Sequence, residues 1–131
     1  MDLQTAMRAR LVASGHLNTL VAGRVYWGER PQGTALPAVV LQTIDDPIKV
    51  HLKGYQAARE TFVQADIYAG TYSSALAIAR LVIATMEVPA TFGGKAFGAC
   101  FVDRRRDTVE TSGTINLHRQ SVDFTIWHIG D

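Results

Sequence analysis

Glu60-Thr61-Phe62-Val63-Gln64-Ala65-Asp66-Ile67-Tyr68 runs through Ala69-Gly70-Thr71-Tyr72 into Ser73-Ser74-Ala75-Leu76-Ala77-Ile78-Ala79. The first part alternates. Thr61, Val63, Ala65 and Ile67 fall on one side, with Glu60, Phe62, Gln64, Asp66 and Tyr68 on the other, which is the period of a strand with one apolar face. Gly70-Thr71 ends it. Thr71 or Ser73 then caps a helix predicted over residues 73–88, with Leu76, Ala79, Ile83 and Met86 as its buried stripe. Pro89 stops that helix, because proline has no amide to continue the ladder. A strand turning tightly into an amphipathic helix implies a sheet that packs helices on a face.

Upstream, Asp2 is placed to cap a first helix, with Leu3, Met7 and Leu11 spaced along one side and Gly15 as its stop. Leu17, Leu20 and Val21 suggest a further short turn closed by Gly23. Residues 24–27 read as a short strand, residues 28–36 as a loop with Pro31 and Gly33, and residues 38–44 as a stronger strand. Its Val39-Val40-Leu41 core predicts burial on both faces. Asp45-Asp46-Pro47 breaks the run. Residues 48–52 form a weaker strand and residues 54–58 a loop or turn. Downstream, Gly93-Gly94 is a turn, and residues 96–102 and 115–129 are two closing strands. The polar stretch 103–113 is expected as the long connection between them, mobile in the free protein and ordered by neighbours. Most connections are too short for parallel crossovers. The fold class expected is therefore α+β: a mainly antiparallel sheet of four to five strands with two helices packed on one face, in a single domain spanning residues 1–131.

The totals narrow the function classes. Of 131 residues, 13 are basic and 12 acidic, for a formal charge of +1. That balance does not call for nucleic acid, a membrane surface or an acidic substrate as the main partner. The most apolar stretch, 75–86, is interrupted by Arg80 and is too short to span a bilayer. The first residues mix apolar positions with Asp2, Gln4, Arg8 and Arg10, so no signal core is expected there. Cys100 is the single cysteine. Between Ala99 and Phe101 it reads as a small buried hydrophobe, which suits a reducing cytoplasm.

The motifs that would carry chemistry fail on their spacing. Gly94-Lys95 lacks the earlier glycine and the following hydroxyl of a phosphate loop; Pro89 and Ala96 stand there. Lys95-Ala96-Phe97-Gly98 lacks the later aromatics of an RNA-binding strand, which leaves Phe97 and Phe101 as expected core residues. His118 and His128 share a strand face, but about ten residues of strand separate them by roughly 33 Å, too far for one metal. Surface or interface positions are expected for the histidines. Asp45 and Asp46 could in principle act as an acid–base or metal pair, but beside Pro47 they read as a turn. No catalytic, cofactor-binding or metal-ligating set is predicted. The charge run Asp103-Arg104-Arg105-Arg106-Asp107 is open to three readings: a solvated, self-paired face, a protein interface, or a phosphate contact. If extended, it puts Arg104 and Arg106 on a purely basic side. Residue chemistry alone thus reaches an interaction protein of the α+β class.

A resemblance goes further. Arg24-Val25-Tyr26-Trp27-Gly28, then Pro31-Gln32-Gly33 and Leu36-Pro37-Ala38-Val39-Val40, resemble the tail terminator (tail completion) family of siphophages, prophages and gene transfer agents. Val63-Gln64-Ala65-Asp66-Ile67-Tyr68, the helix opening Thr71-Tyr72, and Ser121-Val122-Asp123-Phe124-Thr125-Ile126-Trp127-His128 continue it. The resemblance implies a structural virion protein, assembled in the bacterial cytoplasm and located at the head-proximal end of the tail. There it would form a homohexameric ring, end tail tube polymerisation and serve head–tail joining. The implied partners are further copies of itself, the major tail tube protein and the head-completion (stopper) protein, with DNA only passing through the lumen and no membrane. It implies no cofactor and no catalytic residue. Another neck component, stopper or adaptor, is the alternative, and a small nucleic-acid-binding module a more distant one. Arg104, Arg105, Arg106, Asp45, Asp46 and Trp127 are the candidate interface residues, with Trp127 expected in the core or between subunits.

Overall fold

The computed structural model describes residues 2–47, 50–51, 54–55, 58–92, 94–112 and 115–129. The chain begins with α1 (Leu3–Ala13) and α2 (Gly15–Val21), followed by β1 (Val25–Trp27) and β2 (Ala38–Asp45). Next come the short β3 (Val50–His51) and β4 (Gly54–Tyr55), then β5 (Ala58–Ala69) and α3 (Tyr72–Glu87). The chain closes with β6 (Ala90–Phe92), β7 (Lys95–Ser112) and β8 (Ile115–Ile129). Six strands form one sheet in the order β1-β2-β5-β8-β7-β6, and β3 pairs with β4 in a separate hairpin.

The helices start where hydroxyl or carboxylate caps allow. Asp2 accepts the Thr5 amide at 2.8 Å, which holds its carboxyl below the usual carboxylate range. The Thr71 hydroxyl accepts the Ser74 amide at 3.2 Å. Ser14, in an extended conformation, separates α1 from α2. Gly15, expected to end α1, instead begins α2. The left-handed turn comes later, at Ala22 and Gly23, with φ of 48° and 76°. There are thus three described helices where two were expected, because the Leu17–Val21 turn completes a short helix.

The buried stripe of α3 is Ala75, Ile78, Ala79, Val82 and Met86. It lies one residue round from the expected stripe; Leu76 and Ile83 are only half-buried. Thr61, Val63, Ala65, Ile67 and Ala69 of β5 face these helices and are fully buried, as the alternation requires. Val122, Phe124, Ile126 and His128 of β8 share that face. Val39, Val40 and Leu41 are buried too. Val40 points away from the helices, and the loop after β1 covers that side, laying the Arg30 guanidinium 5.1 Å from the Tyr68 ring centre.

The main sheet has six strands where four to five were expected, and it is mainly antiparallel as expected, with one parallel pair. β1 runs parallel to β2, because the ten-residue connection from Gly28 to Pro37 is long enough to cross back over the open face. The polar stretch after Val102 is not a connection: β7 continues through Asp103 to Ser112, paired with β8 all the way. Its polarity follows from position. Every described residue from Asp103 to Thr111 is exposed, since the arm leaves the helix layer behind. Gly93 and Gly113 lie outside the described residues, as do residues 48, 49 and 52 of the weaker strand expected at 48–52. Gly54–Tyr55, expected as a loop, forms β4.

Candidate assembly interface

The three helices pack on one face of the sheet, and the other face is bare of helices. Its centre is polar but closed. Ser121 donates to Asp66 at 2.6 Å and Gln64 donates to the same oxygen at 2.9 Å. Asp66 and Ser121 are buried although no helix covers them. Arg119, beside Tyr68, is held above the usual arginine range by its hydrogen bond to the Tyr68 side chain. Asp123 accepts both terminal nitrogens of Arg106 at 3.2 and 3.3 Å, and Asp103 accepts the Thr125 hydroxyl.

One end of this face is apolar and open. Ile44 and Phe101 are 52% and 55% exposed, Ile129 is exposed, and Phe62 and Trp127 are half-buried. Register places Phe62 opposite Thr125 and Glu60 opposite Trp127, so these side chains share the helix-free face. Ile44, Asp45, Phe62, Asp103, Arg104 and Asp123, together with Phe124, line a depression of about 360 Å³ there. Exposed apolar side chains grouped on a sheet face, rimmed by charges, are the usual mark of a protein contact.

Of the sequence-predicted site residues, Asp45 and Arg104 come together at this depression. Asp46 does not join them. It accepts Arg59 at 2.7 Å and the Thr61 hydroxyl at 2.8 Å, and the Thr61 oxygen lies 2.8 Å from His128 Nε2. Since Thr61 has one hydroxyl hydrogen and gives it to Asp46, His128 donates through Nε2. His128 is thus buried, against the expected surface or interface position; His118 is half-buried, edge-on to Tyr72 at 6.4 Å. Arg106 is engaged by Asp123, and Arg105 is exposed on the other face, opposite Val122. The bulge between Val102 and Arg104 resets the alternation at Asp103. Trp127 lies outside the helix-covered core, and Phe101, expected in the core, is exposed.

Sequence reasoning missed Arg10. It lies inside the core side of α1, donates to the Thr85 carbonyl at 2.6 Å and to the Val88 carbonyl, and sits 5.1 Å over the Phe97 ring. Burial pulls its pKa down. It supplies donors to carbonyls that the end of α3 leaves unpaired. The signal available was its spacing of three and seven residues from Met7 and Leu3, on the apolar stripe. Cys100 is buried, as expected, and burial pushes its thiol up to about 12. Among the described residues no group of three or more His, Cys, Asp or Glu could hold a metal, and no helix is long and apolar enough to cross a membrane.

The family model described as tail completion protein gp17 matches residues 5–129. A chain of a solved structure, the virion of a native gene transfer agent particle, shares the fold with a TM-score of 0.74 at 20% identity, covering 98% of this chain and 95% of that one. A second solved structure is similar at a TM-score of 0.56 and 14% identity, over 95% of this chain and 92% of the other. No curated protein sequence matches significantly. The fold, the bare sheet face and the matched pattern define a structural assembly protein of a phage-type tail. The chain belongs to the family of tail completion protein gp17, whose pattern spans nearly its whole length.

Proposed function

We propose that this protein forms a homohexameric ring at the head-proximal end of the tail tube, where it ends tube polymerisation and provides the surface for head–tail joining. The observation that carries this reading is the family match over residues 5–129. The fold shared with a chain of a gene transfer agent virion supports it. Physical logic agrees. A head-to-tail contact that closes makes a ring, and the same contact left open makes a filament. A protein that seats on the tube and offers no further site for tube subunits stops growth. The tail tube protein and the head-completion (stopper) protein are then its partners, and DNA passes through the lumen without being held. A formal charge of +1 suits that passage.

Deletion of the gene tests the reading. Electron microscopy of lysates is expected to show full heads and irregular or overlong tubes that are not joined, with rescue by the wild-type gene. Normal-length tails joined to full heads in the deletion strain would overturn it. Reconstruction of complete particles is expected to show six copies at the head-proximal end of the tube.

A further inference from the structure

The sheet has two lateral edges, and they are treated differently. β1 is only three residues long, and its Val25 carbonyl is capped by Arg8 Nε at 2.8 Å. A short, capped strand is a protected edge. But β1 covers β2 only at Val39 to Leu41, so the outer side of Gln42 to Asp45 pairs with no described strand. On the opposite flank β6 covers β7 only at Lys95 to Phe97, leaving the outer side of Cys100 to Ser112 without a described partner strand.

These two open stretches lie at the same height. Across the sheet Asp45 pairs with Phe62, Phe62 with Thr125 and Thr125 with Phe101; Gln42, Gln64, Asp123 and Arg104 form the next row on that face, with Thr43, Val63, Phe124 and Val102 between. Three successive antiparallel pairings also mean that β2 and β7 run in opposite directions. A second copy rotated about an axis along the strands therefore brings its β2 edge beside the first copy's β7 edge. The two meet antiparallel. β1 of the second copy stands outside Val39 to Leu41, level with Arg105 to Asp107. The contact is therefore confined to Gln42–Asp45 against Phe101–Arg104, where the bulge bends β7.

The side chains at that height are complementary. Ile44 on one flank and Phe101 on the other are both more than half exposed. Among the described residues the Asp45 and Arg104 side chains have no hydrogen-bond or ion-pair partner, unlike Asp46 and Arg106, and they carry opposite charges. Each flank has a bulge at this level, between Thr43 and Asp45 and between Val102 and Arg104. Bulges keep such an edge from pairing over a long run, so the contact is short and depends on its side chains.

We propose that neighbouring copies of this chain join head to tail through this seam, the Ile44–Asp45 end of β2 in one copy lying against Phe101 and Arg104 of β7 in the next. The proposal rests on the ring reading and names the surface that closes it. Two unlike patches on opposite flanks are what a heterologous, ring-forming contact needs. Added strand pairing supplies main-chain bonds, and the Asp45–Arg104 pair sets register.

Cross-linking tests it. The double variant Ile44→Cys/Phe101→Cys, in particles and as concentrated protein, is expected under mild oxidation to give a covalent ladder ending at the ring. Each single variant, and the wild type with its buried Cys100, should stay unlinked. Dimers from Phe101→Cys alone would show two-fold β7–β7 pairing and overturn the proposal. Rings of the double variant seen by microscopy without any disulfide between the two introduced thiols would overturn it too while leaving the ring reading intact. Particles with no ring of this protein would end both. Charge reversal gives a second measure. Asp45→Arg and Arg104→Asp are each expected to raise the concentration needed for assembly by about tenfold or more, and the two together to bring it back to within about threefold. A double variant no better than either single would overturn the pairing.

Discussion

Cys100 and Phe101 are neighbours in β7 and face opposite sides of the sheet. The thiol, level with Ile126, is buried under the helices; the ring, level with Thr125, is 55% exposed. The same contrast holds wherever the helices cover the sheet; the β7 arm from Asp103 to Thr111 is exposed on both faces. On the helix side the contacts are aliphatic and nearly complete. On the bare side the central polar groups are paired among themselves, while Asp45, Arg104 and the apolar groups stand uncovered at one end. One side accounts for the stability of the subunit, and the other is left with surface whose burial requires another molecule.

The sharpest break of this comparison is chemical. With its thiol pushed up from 9.0 to about 12, Cys100 is expected to react with iodoacetamide at pH 8 roughly a thousandfold more slowly in the folded than in the unfolded chain. A cysteine placed one residue on, Phe101→Cys, should react at an ordinary rate. Equal rates at the two positions would mean that the faces do not differ. The linkage has a definite sign. The folded value is raised, so the stability contributed by the neutral thiol is full below about 9 and is lost as pH rises towards about 12.

Stability comes next. Ile78→Ala, in the middle of the α3 stripe, is expected to cost about 3–4 kcal/mol in urea unfolding. A cost below about 1 kcal/mol would show that α3 is loosely packed. Arg10→Met keeps the apolar stem but strips the donors from the Thr85 and Val88 carbonyls. We expect a loss of about 2–3 kcal/mol. No change on this substitution would mean that the end of α3 is satisfied without Arg10. Trp127→Ala, on the bare face and half-buried, should cost only about 1–2 kcal/mol in the free subunit. Its defect should appear in assembly instead, read as failure to complement the deletion strain. A loss near that of Ile78→Ala would return Trp127 to the core. Smallest of all is the surface pair of Arg106 and Asp123, with Arg106 well exposed. Breaking it by Arg106→Gln should shift unfolding by less than about 1 kcal/mol.

Much of the fold was legible because period-two alternation survives burial. Glu60 to Tyr68 predicted its inward residues correctly, and Asp2 and Thr71 marked both long helices. What failed did so for local reasons. The stretch from Asp103 looked like a connection because polarity is read as exposure and exposure as loop; an arm extending past the helix layer is exposed and still a strand. Leu76 and Ile83 looked like the α3 stripe because apolar side chains occur all round that helix, so the pattern alone does not fix its rotation. Of the candidate interface residues, Asp45 and Arg104 are uncommitted on the bare face, whereas Asp46 and Arg106 are tied to Arg59 and Asp123. Sequence marks charge but not which charges are already paired. Phe101 and Ile44 escaped notice because hydrophobicity in a strand suggests core, and only the sheet order shows which side a helix covers.

The position of β8 bears on when the subunit becomes competent. It comes after every other described strand in the chain, yet it lies between β5 and β7. During translation β5 must wait for a partner that ends 60 residues after its own last residue, from Ala69 to Ile129. At roughly 5–20 residues per second, that is an interval of about 3–12 s. Until the final strand slots in, β7 has no inner neighbour and cannot be held in line with β2. For the proposed seam, a nascent chain on the ribosome therefore lacks the β7 flank, although β2 and β5 can already pair.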